Sequence, residues 1–208
     1  MLMGVILAGG RSRRMGRDKA ELSVAGEPLW QRQARVLRSA GAARVALVLR
    51  PGQIPPPGAG ASALQVRRDV YRDAGPMAGL HAALATPPWA NWYLVLAVDL
   101  PHVRPDWFGW LLGFCRERTG AIVQHDTGYG PLAAVYPAGA GPVVAAYLAR
   151  GEHSLQRLAE RLVQTRRMRA IPLPAHARTQ VTNWNTPADV ADRASGRAAF
   201  SPEISHDR

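Results

Sequence analysis

Hydrophobic positions along the chain follow two alternating patterns. Short continuous apolar runs such as WYLVLAV (92–98) are typical of strands in a parallel sheet that is covered on both faces. Longer segments such as SLQRLAERLVQ (154–164) repeat apolar residues every three to four positions, which is typical of amphipathic helices. The apolar runs predict strands at 3–8, 44–50, 64–69, 92–98, 121–126, 132–137 and near 167–173.

Proline, glycine and small polar residues mark where the helical segments begin and end. Pro28 falls in the first turn of the first helical segment and Gly41 lies just past its end. Ser154 is a suitable N-cap for a later helix, and Thr186 for a last one that begins near Asn185. The predicted helices are 27–41, 75–85, 104–118, 141–151, 154–164 and the segment from 185.

The alternation of strands and helices predicts an α/β fold with a doubly wound, mostly parallel, Rossmann-like sheet. We expect a single domain at residues 1–194 and a flexible C-terminal tail at 195–208, where the periodicity stops. In such sheets ligands bind beyond the carboxyl ends of the strands. The residues that follow the predicted strands are Gly9, Gly10, Arg50, Asp69, Asp99, His125, Asp126 and Asn183.

Composition narrows the class of ligand. The 208 residues carry a formal net charge of +11, which favours an anionic partner and leaves nucleic acid, membrane surfaces and phosphorylated small molecules as alternatives.

No apolar run approaches the roughly 20 residues that span a bilayer, and none resembles a signal-peptide core, so we expect a cytoplasmic protein. The single cysteine, Cys115, excludes an internal disulfide and is interpreted as a small buried hydrophobe.

The loop after the first strand, GGRSRRMGRDK (9–19), combines glycine with positive charge. Backbone N–H groups between a strand and a helix can converge on an anion, and glycine allows a ligand to approach the backbone closely. The glycine spacing matches neither the dinucleotide fingerprint G-x-G-x-x-G nor the P-loop G-x-x-x-x-G-K-[ST]. We therefore interpret the loop as a phosphate site of another type, with a solvated basic turn as the alternative.

Two aspartates follow other predicted strands. Asp99 comes directly after an apolar run, and a strand-end carboxylate near phosphates suits Mg²⁺, which requires only one or two protein carboxylates. The alternative is a turn aspartate ahead of Pro101. Asp69 precedes the helix that begins at Gly75, where it is placed to accept a hydrogen bond from a base or a ribose.

Two asparagines lie near the end of the predicted domain. Asn183 and Asn185 alternate in an extended segment, so both amides can point toward one ligand. The alternative is that they form turn hydrogen bonds ahead of the last helix. The spacing alone leaves both interpretations open.

Taken in order, these motifs resemble those of a known family. LAGGRSRRMGRDKA (7–20) is similar to the signature L-A-G-G-x-S-x-R-M-G-x-D-K of the MobA-type molybdenum cofactor guanylyltransferases, a branch of the nucleotidyltransferase superfamily. The resemblance covers roughly residues 3–192. The later segments that resemble family blocks are GPMAGLHAAL (75–84), AVDLPHV (97–103), GPLAAVYP (130–137) and NWNTPADV (183–190).

The resemblance implies a Mg²⁺-dependent transfer of GMP from GTP to the phosphate of molybdenum-bound molybdopterin, with release of pyrophosphate. It also implies molybdoenzyme maturation proteins as partners, and neither nucleic acid nor a membrane. By position, the implied nucleotide contacts are Leu7, Ala8, Gly9, Gly10, Lys19, Asp69 and Asp99. Asp99 is the implied magnesium ligand, and Asn183 and Asn185 are the implied contacts on the pterin side.

Catalysis of such a reaction requires two polyanions to meet, so positioning and charge neutralisation are expected to supply most of it. We expect Arg14, Lys19 and Asp99 to be the catalytic residues, and no general base is required. Family members often carry an asparagine after the second strand, whereas here Arg50 follows it. Three other functions remain open: a nucleotidyltransferase for CTP or another acceptor, a nucleic-acid-binding protein, and a carrier of the cofactor without chemistry.

Overall fold

The predicted alternation of strands and helices is present in the structure, a computed structural model that describes residues 1–10, 22–24, 26–71, 73–85 and 90–184. The strands are β1 Leu2–Leu7, β2 Ser23–Val24, β3 Glu27–Pro28, β4 Arg44–Leu49, β5 Leu64–Arg68, β6 Trp92–Ala97, β7 Gly120–His125, β8 Gly128–Tyr129, β9 Ala133–Pro137 and β10 Met168–Pro172. The helices are α1 Leu29–Ser39, α2 Gly75–Leu84, α3 Pro105–Leu112, α4 Gly141–Ala149 and α5 Leu155–Gln164, with short 3₁₀ helices at Ala138–Ala140 and Ala175–Val181.

One large sheet organises these elements. Its strand order is β10-β7-β9-β6-β1-β4-β5, with β8 paired to the end of β7. Neighbouring strands are parallel except where β9 pairs antiparallel with β6 and β7, and where β8 turns back on β7. The predicted mostly parallel α/β sheet is therefore confirmed. The small β2–β3 hairpin was not predicted, because each of its strands has only two residues.

Helices cover both faces of the sheet, as a doubly wound fold requires. Alternate residues of β1 point to opposite sides, so Ile6 packs in the core with α1 and α3, while Val5 and Leu7 pack in the core with α2, α4 and α5. Helix α1 lies very close to β1, since a Cβ at Gly4 would come within 2.9 Å of the Leu37 Cβ. Burial on both faces explains why the central strands are continuous apolar runs.

The connection between β7 and β9 differs from the prediction. TGYG (127–130) was expected to form a simple turn, but Gly128 and Tyr129 form a strand that pairs with β7. The Gln156 side chain of α5 explains this extended shape. Its Nε2 donates to the Tyr129 carbonyl oxygen and its Oε1 accepts from the Tyr129 N–H, each at 2.8 Å. The side-chain amide therefore pairs with the backbone as a neighbouring strand would.

Two composition-based expectations concern the interior and the membrane. Cys115 is buried, and burial raises the pKa of its thiol to about 11, so it stays protonated near neutral pH and packs as a hydrophobe. Within the described ranges, no helix is long and apolar enough to cross a membrane.

Three predicted segments lie outside the described residues. They are the basic loop at 11–21, the predicted last helix from 185 and the proposed tail at 195–208.

Candidate active site

The carboxyl ends of β1 and β6 and the segment after β5 meet around one cavity. Leu7, Ala8, Gly9 and Gly10 from the end of β1 line it together with Asp69 and Asp99. The start of α2 completes the wall with Gly75, Pro76 and Gly79. All six nucleotide-contact candidates that the structure describes therefore border one space, as the strand-end rule for α/β sheets predicts.

The cavity itself has a volume of about 120 Å³ and adjoins a more open cleft of about 800 Å³. The two spaces share Gly9, Gly10, Asp69, Gly75 and Pro76. Pockets that bind small molecules and cofactors usually measure roughly 300–1,000 Å³. The cavity is too small for a whole nucleotide, whereas the cavity and cleft together can accommodate a base, a sugar and a phosphate chain.

Gly9 is required by the close approach of two strand ends. The Ala8 N–H donates to the Val48 carbonyl oxygen at 2.9 Å, which draws the end of β1 against β4. A Cβ at Gly9 would lie 3.0 Å from the Arg50 backbone nitrogen, tighter than most real contacts of this kind. The first glycine of the predicted phosphate loop thus has a structural requirement as well as a place on the cavity wall.

Gln53 is a buried residue of this region that the sequence did not reveal as part of the site. It is only 4% exposed, and its Nε2 donates to the Ala8 carbonyl oxygen at 3.1 Å. Its Oε1 accepts from the Arg50 N–H, also at 3.1 Å. The side chain therefore ties the loop after β4 to the loop after β1. Its one signal in the sequence is an amide side chain inside the Pro/Gly-rich stretch at 51–63.

Asp69 presents a buried carboxylate on the cavity wall. Its N–H donates to the Leu49 carbonyl oxygen at 3.0 Å, which fixes its backbone beside the end of β4. The residue is 7% exposed, and in the described part of the chain its Oδ1 has no hydrogen-bond partner. Burial raises the pKa of the carboxyl, because desolvation disfavours the charged form. An unpaired buried acceptor in a ligand-sized cavity is suited to a hydrogen-bond donor from a ligand.

Asp99 is held in place by contacts on each side. The Val98 N–H donates to the Leu7 carbonyl oxygen at 3.0 Å, which continues the β6–β1 pairing up to this position. The carbonyl oxygen of Asp99 itself accepts from the Trp184 N–H at 2.9 Å. These hydrogen bonds place Asp99 on the wall of the same cavity as Asp69.

The Asp99 carboxylate on the cavity wall fits a magnesium ion that is held mainly by its substrate. No cluster of three or more His, Cys, Asp or Glu side chains able to enclose a metal exists among the described residues. Mg²⁺ usually retains several waters and binds through one or two carboxylates together with substrate phosphates. Asp99 supplies one such carboxylate on the wall of this cavity.

Asn183 lies in a neighbouring space. It lines a cleft of about 330 Å³ with Tyr129, Gln156 and Leu132, and Leu132 also borders the cavity of Asp69 and Asp99. The structure thus places Asn183 beside, and not within, the space of the nucleotide candidates. The other predicted site residues, Arg14, Lys19 and Asn185, lie outside the described residues.

The remaining strand-end residues are distributed over other spaces. Arg50 borders the open cleft, and its guanidinium donates to the Gly10 carbonyl oxygen at 3.3 Å. His125 and Asp126 line a cleft beyond β7, where Asp126 lies 3.9 Å from Arg178 in an exposed ion pair, and His125 also borders the cleft of Asn183. The carboxyl edge therefore carries a central cavity with clefts on either side.

Comparison with known proteins places this arrangement in a family. A family model described as the MobA-like NTP transferase domain matches residues 4–167. The match covers well over half of the chain and includes most of β1, Asp69 and Asp99. The chain belongs to the MobA-like NTP transferase family. It is accordingly a nucleotidyltransferase, and the expected family is confirmed.

Relatives and solved structures agree with this membership. This nucleotidyltransferase is 48% identical over 190 residues to a probable molybdenum cofactor guanylyltransferase of Opitutus terrae, across 90% of this chain and 92% of the relative. It is 35% identical over 205 residues to a probable molybdenum cofactor guanylyltransferase of Deinococcus radiodurans, across 98% of each chain. The crystal structure of molybdopterin-guanine dinucleotide biosynthesis protein A from Archaeoglobus fulgidus shares the fold, with a TM-score of 0.72 at 23% identity, over 92% of this chain and 96% of the other.

Proposed function

We propose that this protein transfers GMP from GTP to the phosphate of molybdenum-bound molybdopterin, which yields molybdopterin guanine dinucleotide and pyrophosphate. The observation that carries the proposal is the convergence of Asp69, Asp99 and the loop Leu7–Gly10 on one cavity at the carboxyl edge of the sheet. The names of the two curated relatives support the choice of nucleotide and acceptor. The product would then pass to maturation proteins of molybdoenzymes.

The nucleotide would occupy the cavity and the adjoining cleft. Asp69 would accept hydrogen bonds from the base or the ribose, because its buried oxygen requires a donor. The Watson–Crick edge of guanine carries two adjacent donors, N1–H and the 2-amino group, whereas cytosine presents a single amino donor next to acceptors. A carboxylate that reads the base edge would therefore favour GTP over CTP.

The phosphate chain would follow the loop after β1. Backbone N–H groups around Gly9 and Gly10 can approach phosphate oxygens because these residues have no side chain. Asp99 would hold Mg²⁺, which when bound neutralises phosphate charge and orients the α-phosphate. We propose that Arg14 and Lys19 neutralise the charge that develops on the leaving pyrophosphate.

The acceptor would bind in the cleft that contains Asn183. Its phosphate oxygen attacks the α-phosphorus of GTP on the side opposite to the leaving group. A new phosphorus–oxygen bond forms, the α–β bridge breaks, and pyrophosphate departs with the bonding electron pair. The attacking phosphate is already ionised at neutral pH, so this chain needs only to position the two substrates and offset their repulsion.

A nucleotide panel tests the proposal. The purified protein is incubated with molybdenum-bound molybdopterin, MgCl₂ and one of GTP, CTP, ATP or UTP, and the products are separated and identified by mass spectrometry. The expected result is a guanine dinucleotide with equimolar pyrophosphate, abolished by EDTA. A cytosine dinucleotide in its place would reassign the nucleotide. Binding of molybdopterin without pyrophosphate release would indicate a carrier, and salt-sensitive binding to DNA or RNA a nucleic-acid-binding protein.

A further inference from the structure

We propose that Gln33 of α1 is a positioning residue that sets the location of the Asp99 carboxylate. Gln33 lies outside the cavity and does not contribute to its wall. Its side chain instead holds the backbone on both sides of Asp99. The inference rests on the proposed function, in which Asp99 holds the magnesium ion.

The contacts of Gln33 all go to one segment. The side chain is fully buried, and its Nε2 donates to the Leu100 carbonyl oxygen at 2.8 Å. The same nitrogen lies 3.3 Å from the Ala97 carbonyl oxygen and 3.4 Å from that of Val98. Because all three neighbours are acceptors, the amide nitrogen and not its oxygen must face them. One side chain therefore donates hydrogen bonds to the carbonyl oxygens immediately before and after Asp99.

The oxygen of the Gln33 amide indicates that the hydrogen bonds from its nitrogen do not serve stability alone. Gln33 Oε1 is buried without a hydrogen-bond partner in the part of the chain that the structure describes. An unpaired buried carbonyl is unfavourable, whereas an apolar side chain of similar length would avoid that cost. A residue selected only for packing at this position of α1 would be apolar. The amide is thus explained by what its nitrogen holds.

Other bonds keep the segment folded when the amide is removed. The Ala97 and Leu100 carbonyl oxygens also accept from the backbone N–H groups of Leu100 and Val103, each at 3.3 Å. Arg32, the neighbour of Gln33 on α1, donates from Nε to the Pro101 carbonyl oxygen at 2.6 Å. Loss of the Gln33 amide should therefore loosen the position of Asp99 without unfolding the turn.

The test compares Gln33→Met with a matched core variant of the same helix, Leu37→Val. Leu37 is fully buried one turn further along α1, where it packs on Gly4 and away from the carboxyl edge. Three quantities are measured on each protein: the melting temperature, hydrogen exchange of segment 97–103 without metal or nucleotide, and the affinity for Mn²⁺ with GTP by electron paramagnetic resonance without turnover.

For Gln33→Met we expect a melting temperature at or below that of the wild type, because the carbonyl oxygens lose a donor. We also expect faster exchange in segment 97–103 and Mn²⁺ affinity about 10–100-fold weaker, the range found when partners that orient metal ligands are removed. Leu37→Val should lower the melting temperature and leave the other two quantities as in the wild type. The inference is overturned if Gln33→Met exchanges and binds Mn²⁺ like the wild type, or if it fails to fold, since either result would leave only a packing role. Failure of the wild-type protein to form a dinucleotide overturns the proposed function separately, and hydrogen exchange still decides whether Gln33 holds the segment.

Discussion

The backbone N–H of Trp184 donates a hydrogen bond to the carbonyl oxygen of Asp99, with 2.9 Å between nitrogen and oxygen. Trp184 is buried, and the ring of His102 packs edge-on against its indole at 5.7 Å between centroids. Since Asn183 precedes Trp184, this bond joins the segment proposed to bind the acceptor to the residue proposed to bind the metal. The proposed acceptor segment and the proposed metal ligand are thus joined by one backbone hydrogen bond.

Asp99→Asn tests the metal assignment. The amide keeps the shape of the side chain but removes the charge, so we expect kcat to fall by at least about 100-fold while the protein keeps its fold. Steady-state pyrophosphate release across a Mg²⁺ titration measures the loss, and circular dichroism checks the fold. Unchanged Mg²⁺-dependent turnover in this variant would remove Asp99 from the mechanism.

Asp69→Asn should separate stability from binding. Burial raises the pKa of this carboxyl in the folded protein, so the folded state binds its proton more tightly than the unfolded state. The stabilisation from that proton is complete below the unfolded-state pKa of about 4 and is lost as the pH rises through the raised pKa of the folded state. Above that raised pKa the buried charge therefore lowers the stability of the wild-type protein.

The amide that replaces the carboxylate carries no such charge, so at pH 7 Asp69→Asn should melt at the same temperature as the wild type or higher, and the difference should shrink as the pH falls toward 4. GTP should bind more weakly to the variant, by about tenfold, because a charged acceptor is lost. Melting curves between pH 4 and pH 8 and a GTP titration measure both effects. A difference in melting temperature that does not change with pH would contradict the account of Asp69.

Gly9 and Gly10 provide a matched pair. A Cβ at Gly9 would press on the Arg50 backbone at 3.0 Å, whereas a Cβ at Gly10 meets no described atom within 4 Å. We expect Gly9→Ala to lose about 1–3 kcal/mol of unfolding free energy, and Gly10→Ala to remain close to the wild type. Urea denaturation measures both values. Equal losses in the two variants would argue against the tight packing of the β1 and β4 ends.

Asn183→Ala tests the acceptor side. Its cleft is separate from the cavity of Asp69, so we expect a higher KM for molybdopterin and an unchanged KM for GTP. Asn91→Ala serves as the control, because Asn91 lies in a small cleft beside the start of β6, away from the carboxyl edge. An increase in the KM for GTP alone would move Asn183 to the nucleotide side.

The pattern of apolar runs along the sequence was sufficient to predict the residues at the strand ends. Apolar runs located β1 and β6, and the position directly after each run identified Gly9 and Asp99 as neighbours in space. Because hydrophobic periodicity is a property of consecutive residues, it can be recognised without knowledge of tertiary contacts. The same reasoning was wrong for TGYG, because the Gln156 side chain that extends it comes from a helix 27 residues away.

The residues that hold the site together could not be predicted in this way. Gln53 binds the Ala8 carbonyl oxygen 45 residues away, and Gln33 binds that of Ala97 at a separation of 64 residues. Both act on backbone carbonyls, which every residue carries, so nothing in the local sequence identifies the partner. Their roles become visible only when the helix and the loop are seen against the ends of the strands.

The fate of the α-phosphate of GTP tests the central claim most directly. The protein is mixed in a single turnover with molybdenum-bound molybdopterin, Mg²⁺ and GTP that carries distinguishable labels on its α- and γ-phosphates. The account predicts that the α-label appears in a molybdopterin guanine dinucleotide at the rate at which the γ-label appears in pyrophosphate. Release of the γ-label as inorganic phosphate, or retention of both labels in GTP while molybdopterin is bound, would contradict it.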